Sequence, residues 1–308
     1  MKAEPENPAS VKKCYPGAMS ELALPSAFAP GNVAVVTGAA SGIGRAAARH
    51  FAKIGMKVAL ADVEGAALTS AAEELGAIAG GAQHVLALPT DVSRLADLAL
   101  IREVVFERFG GVHVLMSNAG VGNNPGLPWE NGAAWKALVD VNLWGVVHGV
   151  EAFVPRWLEA GASAVIINTG SKQGITSPPG NAAYNLSKAA LRNYTESLAH
   201  ALRAASQGRI SAHLLIPGFT YTGMTRGAEK PAAAWSPEQV VEFMLQSLGR
   251  GDFYILCPDG AVDRATDERR MQWSIDDIIK NRPALSRWHP DFEAEFAAYM
   301  RQAKEPTP

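Results

Sequence analysis

The sequence predicts an α/β fold in which a doubly wound parallel sheet of about seven strands carries helices on both faces. Two observations lead to this fold class. Short apolar runs alternate with helical patterns over residues 32–256, as they do in repeated βα units. The first of these runs, Val33-Ala-Val-Val-Thr37, lacks the alternation of a half-exposed strand and is expected to be buried on both faces.

The elements follow one another in a regular order, with right-handed crossovers expected between the parallel strands. A glycine-rich turn and an alanine-rich helix ending near Ile54 follow the strand 33–37. The later predicted strands are 57–62, 83–88, 112–117, 164–169, 209–216 and 253–256. The predicted helices are 64–75, 93–109, 135–160, 182–205 and 237–248, with two amphipathic helices, 263–280 and 291–301, beyond the last strand.

Length and composition limit the organisation and the partners. A chain of 308 residues that is 48% hydrophobic and 19% charged can bury a sizeable core. We expect a flexible arm over 1–30, a catalytic domain over 31–258 and a helical extension over 259–308 that packs on the same domain or on a sister subunit. The net charge of −2, without a basic block, favours neither nucleic acid nor an anionic membrane as a partner.

The cysteines and the chain's N-terminal segment indicate the compartment. Cys14 and Cys257 make neither a disulfide framework nor a metal cluster, so we expect no metal and a reducing, cytoplasmic location. The first thirty residues lack the apolar core and cleavage site of a secretory signal. No apolar run approaches the roughly 18 residues of a membrane span, so no membrane partner is expected.

The turn after the first strand has the pattern of a phosphate cradle. Gly38, Gly42 and Gly44 lie where a strand becomes a helix, and glycine permits a close backbone approach to a pyrophosphate at the helix N-terminus. Asp62 follows Gly44 by eighteen residues, at the end of the next strand. Its carboxylate would bind ribose hydroxyls and repel a 2′-phosphate, which predicts NAD over NADP. Capping of the following helix is the alternative role for Asp62, and Arg45 is the nearby cation that would favour NADP.

The stretch 171–188 carries the chemistry. Tyr184 and Lys188 are four residues apart and share one face of a predicted helix. A nearby cation favours the phenolate, so Lys188 is expected to lower the pKa of Tyr184 and let it exchange a proton with an alcohol oxygen. Ser171 would hold that same oxygen by a hydrogen bond. A Tyr-Lys spacing alone is weak support, and an exposed helix with an unremarkable pair is the alternative.

Further motifs accompany these residues along the chain. In order, the set is Thr37-Gly-x-x-x-Gly-x-Gly44, Asp91-Val92, Asn118-Ala-Gly120, Asn142, Ser171, Tyr184-x-x-x-Lys188, and Pro217-Gly218 with Thr222. The set makes the chain similar to the short-chain dehydrogenases/reductases, whose fold is of the Rossmann type. Ser171 precedes Tyr184 by the family's thirteen residues, and the resemblance covers about 32–256.

The resemblance implies roles for these residues. Tyr184 would be the general acid/base, Lys188 would also bind the nicotinamide ribose, and Ser171 would polarise the substrate carbonyl. Asn142 would kink its helix and hold a water that links Lys188 to solvent. The implied catalytic residues are Asn142, Ser171, Tyr184 and Lys188. The implied cofactor-binding residues are Gly38, Ser41, Gly42, Ile43, Gly44, Asp62, Asp91, Val92, Asn118, Ala119, Gly120, Tyr184, Lys188, Pro217, Gly218, Thr220 and Thr222.

Several of these assignments have a purely structural alternative. Asp91 would cap the helix near Ser93, Asn118-Ala-Gly120 would be a strand-end turn, and Pro217-Gly218 a breaker. Asn142 would be a polar group bonded to backbone inside a helix. In the family's terms Lys172 and Gln173 are unusually polar neighbours of the serine. Either both face solvent, or Gln173 hydrogen-bonds the substrate.

The sequence contains fewer signals of the substrate and of the oligomeric state. The loops 121–130 and 219–236 would line the pocket, the second as a lid or as a plain surface loop with its aromatic residues packed inward. The extension is similar to those of short-chain enzymes that oxidise bulky aryl alcohols, which implies a bulky or aromatic substrate. The family commonly pairs through two long helices, here 135–160 and 182–205, which implies a homodimer or homotetramer.

The activity expected from all this is hydride transfer between nicotinamide and a secondary alcohol or ketone. The alternatives are an epimerase or dehydratase that retains its NAD, and a non-catalytic NAD-binding regulator. The glycine spacing argues against the first, and the complete Asn-Ser-Tyr-Lys set argues against the second.

Overall fold

A computed structural model describes residues 23–63, 65–224, 229–260 and 262–302 of the chain. Within those ranges, seven strands form one parallel sheet in the order β3-β2-β1-β4-β5-β6-β7. The strands are β1 Val33–Thr37, β2 Lys57–Asp62, β3 Val85–Pro89, β4 Val114–Ser117, β5 Ala164–Thr169, β6 Ile210–Ile216 and β7 Tyr254–Leu256. The doubly wound parallel sheet is therefore confirmed, and the order reverses between β1 and β4, where ligands bind in such sheets.

Helices cover both faces of the sheet. They are α1 Gly42–Lys53, α2 Ala66–Ile78, α3 Leu95–Phe109, α4 Gly132–Val139, α5 Gly145–Glu159, α6 Gln173–Thr176, α7 Ala182–Ala205, α8 Pro237–Gly249, α9 Arg264–Ile279 and α10 Glu293–Arg301. Successive side chains of β1 enter opposite layers: Val36 joins the core of α1, α2 and α8, and Val35 joins that of α3, α5 and α7. Burial of both faces explains why the strands read as continuous apolar runs.

The long helix predicted over 135–160 is not a single α-helix. It begins at Gly132, and a π-helical segment, Asp140–Trp144, separates α4 from α5. A π-turn inside a helix is rare and often accompanies a functional site. Asn142 lies within it, as the expected kink requires.

Other helix and strand boundaries differ from the predicted ones for local reasons. A 3₁₀ turn at Ala82–His84 delays β3 until Val85, and α3 begins at Leu95. The helix α2 begins at Ala66 with Gly65 as its N-cap, so Asp62 does not cap it.

The segment Gly132–Glu159 corrects the expectation that the chain has no membrane-length apolar stretch. It is 28 residues long with a mean hydropathy of 1.3 in its most apolar window, enough by length and composition to cross a membrane. Charged residues interrupt the apolar run, which is why the sequence pattern did not reveal it. In the fold, Phe153 and Trp157 of this segment lie fully buried against the sheet.

The C-terminal extension is helical, as expected, and packs on its own chain. Trp273 of α9 contacts the rings of Phe296 and Tyr299 from α10, with centroids 5.2 and 5.1 Å away. The Trp273 indole donates to the Ser286 hydroxyl at 2.8 Å. At the other end, Phe28 lies buried against Phe51 of α1, whereas the predicted flexible arm falls mostly outside the described residues.

Candidate active site

The helix that carries the Tyr-Lys pair starts at a defined cap. The side chain of Asn181 accepts from the Tyr184 main-chain N–H at 3.1 Å, which satisfies one of the free donors of the first turn. Tyr184 and Lys188 then lie one turn apart, and the Lys188 Nζ is 5.8 Å from the Tyr184 ring centroid. The ammonium donates to the Thr169 carbonyl at 2.7 Å, at the end of β5. The exposed-helix alternative is therefore wrong for Lys188, which is buried.

The pKa directions differ from the sequence-based expectation. Burial raises the pKa of Tyr184, and the nearby Ser171 hydroxyl lowers it by less. Burial also lowers the pKa of Lys188 to about 8, because desolvation disfavours its charged form. In the protein alone, then, desolvation outweighs any cation effect, and Tyr184 is a protonated hydroxyl at neutral pH.

Ser171 lies just past β5 and beside the end of β6. The flanking main chain is fixed there, since the Gly170 N–H donates to the Leu215 carbonyl at 2.7 Å and that of Lys172 to the Pro217 carbonyl at 3.3 Å. The Ser171 hydroxyl adjoins that of Tyr184, so both groups can contact one substrate oxygen. The structure thus brings the predicted Ser-Tyr-Lys set together.

Asn142 is fully buried behind these residues. Its amide oxygen accepts from the Val121 N–H at 2.8 Å, and its amide nitrogen donates to the Val121 carbonyl at 3.0 Å and to the Ser187 hydroxyl at 3.2 Å. The Asn142 oxygen and Lys188 Nζ also lie 3.3 and 3.8 Å from where a Cβ on Gly120 would be. These bonds to backbone agree with the structural alternative, and the predicted water relay stays a prediction.

The glycine turn has the shape that a dinucleotide pyrophosphate requires. A Cβ on Gly38 would lie 2.8 Å from the Ala119 Cα, and one on Gly44 would lie 2.2 Å from the Gly38 carbonyl oxygen. Gly38 and Gly42 also have positive φ angles of 66° and 54°, which favour glycine. A Cβ on Gly42 would approach the Thr222 methyl at 3.2 Å, so Thr222 lies across the turn. The residues present therefore fit a nicotinamide dinucleotide. Ser41 is the exposed N-cap of α1, and Ile43 packs on the core beside it.

Asp62 is tied back to this turn. One carboxylate oxygen accepts from the Ala40 N–H at 2.8 Å, and the other from the Val63 N–H at 2.8 Å. Arg45, the cation that would favour NADP, is bound elsewhere: its guanidinium pairs with Glu74 of α2 at 2.7 Å. Arg49 pairs with the same carboxylate at 2.5 Å.

Asn118 joins three strand ends. Its main-chain N–H donates to the Thr37 hydroxyl at 2.9 Å, and its side-chain amide donates to the Thr37 and Gly38 carbonyls at 3.2 and 3.3 Å. The Thr169 hydroxyl donates to its amide oxygen at 3.4 Å. Asn118 therefore does more than form a turn, because it holds the glycine cradle against β4 and β5. Ala119 and Gly120 continue this segment toward Asn142.

Asp91 and Val92 follow β3 and begin a turn, in which the Arg94 N–H donates to the Asp91 carbonyl at 3.0 Å. The Asp91 carboxylate accepts from the main-chain N–H and the hydroxyl of Ser93, at 3.0 and 2.7 Å. It does not cap α3 directly, since Arg94 is the N-cap of that helix. The Val92 side chain is buried, and its carbonyl accepts from His148 at 3.0 Å. Their contact with adenine stays a prediction.

The segment after β6 has a fixed base and an exposed tip. The Tyr221 N–H donates to the Trp235 carbonyl at 2.8 Å, and the Trp235 N–H to that of Phe219 at 2.9 Å. Trp235 packs inward on Phe243, as in a plain loop, whereas Phe219 and Met224 are exposed, as in a lid. Thr220 is buried and its hydroxyl donates to the Gly218 carbonyl at 3.2 Å. Residues 225–228 of the predicted lid lie outside the described ranges.

The two predicted substrate loops meet across the site. A Cβ on Gly122 would lie 2.7 Å from the Met224 sulfur. The Asn181 side chain donates to the Gly122 carbonyl at 3.2 Å, and the Asn124 side chain to the Gly180 carbonyl at 2.7 Å. The loop after β4 is thus anchored to the start of α7, next to Tyr184. An asparagine before an apolar helix is a recognisable cap, so Asn181 could have been found from the sequence.

Lys172 faces neither solvent nor an open pocket. Its ammonium pairs with Asp259 at 3.1 Å and with Asp267 at 2.6 Å, whereas Gln173 is exposed. Neither aspartate was a predicted site residue. Nothing in the local pattern could have marked them, because Asp267 reads as one of many charges on an amphipathic helix.

Comparison with known proteins places this geometry among related enzymes. Residues 32–233 match the family model described as short chain dehydrogenase. The 1-deoxy-11-beta-hydroxypentalenate dehydrogenase of Streptomyces exfoliatus is 38% identical over 266 residues, which cover 83% of this chain and 93% of that protein.

Solved structures are similar as well. A short-chain dehydrogenase/reductase from Burkholderia phymatum in complex with NAD has a TM-score of 0.74 and 34% identity, over 83% of this chain and 96% of its own. A metagenomic short-chain oxidoreductase in complex with NADP has a TM-score of 0.61 and 29% identity, over 75% of this chain and 98% of its own. Both dinucleotides thus occur among the similar structures.

Proposed function

Because the chain belongs to the short-chain dehydrogenase family, we propose that it uses NAD rather than NADP and acts on a bulky secondary alcohol or the matching ketone. As a member, it is a nicotinamide-dependent oxidoreductase that acts on hydroxyl groups. The observation that supports the site most directly is the adjoining pair of Ser171 and Tyr184 hydroxyls with Lys188 behind them.

The residues divide the proton chemistry among them. When bound, the nicotinamide supplies the acceptor or donor of the hydride at its C4 atom. The Tyr184 hydroxyl gives its proton to the substrate oxygen in reduction, and its deprotonated form, the phenolate, takes a proton from that oxygen in oxidation. Ser171 donates a hydrogen bond to the same oxygen and fixes its position. Lys188, oriented by the Thr169 carbonyl, brings a positive charge close to Tyr184 and to the ribose that the dinucleotide would place there.

Preference for NAD is supported by two charges. The Asp62 carboxylate is fixed at the end of β2 by the Ala40 and Val63 N–H groups, where a 2′-phosphate would meet a negative charge. Arg45, which would otherwise attract that phosphate, is held by the Glu74 carboxylate. The negative charge of Asp62 and the pairing of Arg45 together favour a dinucleotide with a free 2′-hydroxyl, which is NAD.

Replacement of Asp62 by asparagine is the sharpest test of this preference. We expect Asp62→Asn to tighten NADPH binding about tenfold, a change of roughly 1.4 kcal/mol, because the repulsion is lost while the amide keeps one acceptor. NADH binding should weaken. Titrations followed by the fluorescence of each dinucleotide measure both constants.

Asp252→Asn is the matched control, because Asp252 pairs with Arg250 away from the site and its loss should change neither constant. Wild-type protein that binds NADPH as tightly as NADH would contradict the proposal. A screen of secondary alcohols with NAD then tests the activity, since net release of NADH separates a dehydrogenase from an NAD-retaining epimerase and from a regulator.

The bulk of the substrate is inferred from the mouth of the site. Phe219 and Met224 are 43% and 49% exposed on one loop, and Val121 is 37% exposed on the other. Trp129, farther along the same loop, is 79% exposed. These apolar side chains are exposed to solvent beside a polar catalytic site. They favour a substrate with a large apolar portion.

We also propose that the enzyme is a homodimer or homotetramer that pairs through α5 and α7. Trp144 and Leu186 are about half exposed and line a cleft of about 660 Å³ between the α4–α5 segment and α7. A second copy related by a two-fold axis would cover this apolar face with the same face of its own.

Light scattering tests this assembly. We expect Leu186→Asp to shift the protein toward a monomer, because a charge would be buried at the contact. Ile278→Asp serves as the control, since Ile278 is 78% exposed on α9, and it should leave the mass unchanged. A monomeric wild-type protein would refute the pairing.

A further inference from the structure

A buried ion triad lies directly beside Ser171. The Lys172 ammonium is held between the carboxylates of Asp259 and Asp267, at 3.1 and 2.6 Å. The three side chains are only 16%, 7% and 8% exposed. Burial raises the pKa of Asp267, Lys172 lowers it, and Asp259 raises it. Two like charges therefore share the Lys172 cation in a desolvated environment, with Arg270 a further cation near Asp267.

The triad touches both segments that shape the catalytic centre. Lys172 follows Ser171, and its main-chain N–H donates to the Pro217 carbonyl. The Asp259 oxygen that pairs with Lys172 also accepts from the Phe219 N–H at 3.3 Å. A Cβ on Gly218 would lie 2.5 Å from that oxygen and 3.0 Å from the Lys172 ammonium. Gly218 thus packs its backbone directly on the ion pair.

The third member belongs to the C-terminal extension. Asp267 is on the first turns of α9, ninety-five residues beyond Lys172. Apolar contacts accompany the ion pair, because Ile175 of α6 and Met271 of α9 pack on the same small cluster of Leu214, Ile216 and Leu256. The extension therefore meets the body at the segment that carries the catalytic serine.

We infer that Lys172 is a positioning residue through which the C-terminal extension fixes the distance between Ser171 and the Gly218–Phe219 segment. The inference rests on the proposed function, in which Ser171 holds the substrate oxygen and the 217–222 segment borders the nicotinamide. Removal of the ammonium leaves two buried carboxylates that repel each other. One of them is bonded to the 217–222 segment and the other is carried by α9, so the repulsion acts on the alignment of the site.

This assignment explains the polar residue that follows the serine. Lys172 is already paired with two carboxylates, so it is not a free cation for an acidic substrate. An arginine can bridge two carboxylates with its several N–H donors, whereas a methionine has similar length without charge. These two substitutions therefore separate the charge from the packing.

The test compares Lys172→Met and Lys172→Arg with the wild-type enzyme. We expect Lys172→Met to lower kcat about tenfold or more, because misalignment of a positioned group costs rate, with the Kd for NADH changed less than about threefold. Lys172→Arg should recover most of kcat. Lys280→Met is the control: this exposed lysine of the extension pairs only with Asp276 among the described residues, and its loss should leave kcat unchanged.

A second variant keeps the test informative if Lys172→Met folds poorly. In Lys172→Met/Asp267→Asn the repulsion is removed, so stability and part of kcat should return relative to Lys172→Met alone. A kcat for folded Lys172→Met equal to the wild type would overturn the inference. So would a loss of kcat fully accounted for by unfolded protein.

Hydrogen exchange separates this inference from the proposed function. In Lys172→Met, peptides that cover 171–176 and 217–222 should exchange faster than in the wild type, whatever reaction the enzyme catalyses. Unchanged exchange would refute the coupling. A wild-type protein without activity on any alcohol, but with faster exchange in the variant, would refute the proposed function and leave the coupling supported.

Discussion

Tyr184→Phe is expected to lower turnover by about 10³-fold, within the range found for loss of a general acid/base group. The hydroxyl that exchanges the proton disappears, while the ring that lies 5.8 Å from the Lys188 ammonium remains. The Kd for NADH should therefore change less than about twofold. The measurement is the initial rate of NADH formation with the best alcohol of the screen, together with a fluorescence titration of NADH.

The matched control lies on the same helix. Tyr194→Phe also removes a tyrosine hydroxyl, ten residues farther along α7. Tyr194 packs in the layer of α3, α5 and α7 rather than at the site. Its loss should leave kcat within about twofold. Near-wild-type rates in Tyr184→Phe would rule out Tyr184 as the proton donor.

A Gly44→Ala substitution should abolish the tight binding of either dinucleotide. The new Cβ would lie 2.2 Å from the Gly38 carbonyl oxygen and 2.6 Å from the Asn118 amide nitrogen, closer than any real carbon contact. The start of α1 must then move away from β1, and the cradle opens. We expect the Kd for NADH to rise about 100-fold, because the N–H groups no longer converge on the pyrophosphate.

Gly132→Ala is the control for this substitution. Gly132 is the first residue of α4, and a Cβ there meets no atom within 4 Å. Its Kd for NADH and its melting temperature should match the wild type or rise slightly, since alanine favours a helix. If Gly44→Ala bound NADH as tightly as Gly132→Ala, the cradle would not be the dinucleotide site.

Local patterns made the fold and the centre of the site predictable. The glycine spacing of 38, 42 and 44 belongs to one strand–turn–helix unit, and Tyr184 and Lys188 belong to one helical turn. Residues this close in the chain have a nearly fixed relative geometry, so their order alone predicts how they are placed. The seven strands were found for the same reason, because burial on both faces leaves an uninterrupted apolar run.

The boundaries of the helices and the protonation state of Tyr184 were harder to predict. The break in the long helix at Asp140–Trp144 arises where Asn142 bonds to the main chain of Val121, a partner from another loop. The pKa of Tyr184 rises because the folded protein desolvates it, and a sequence shows the neighbouring cation but not the desolvation. The expectation of a lowered pKa was wrong for that reason.

The sequence by itself determined the sheet, the cradle and the Ser-Tyr-Lys set, since each rests on residues close in the chain or on a buried strand pattern. Only the tertiary structure decided how charges pair. Arg45 binds Glu74 instead of facing Asp62, and Lys172 binds Asp259 and Asp267 from the C-terminal extension. An ion pair requires two charges a few ångströms apart in space, and they can be at any separation in the sequence. No periodic pattern of residues therefore predicts which charges pair.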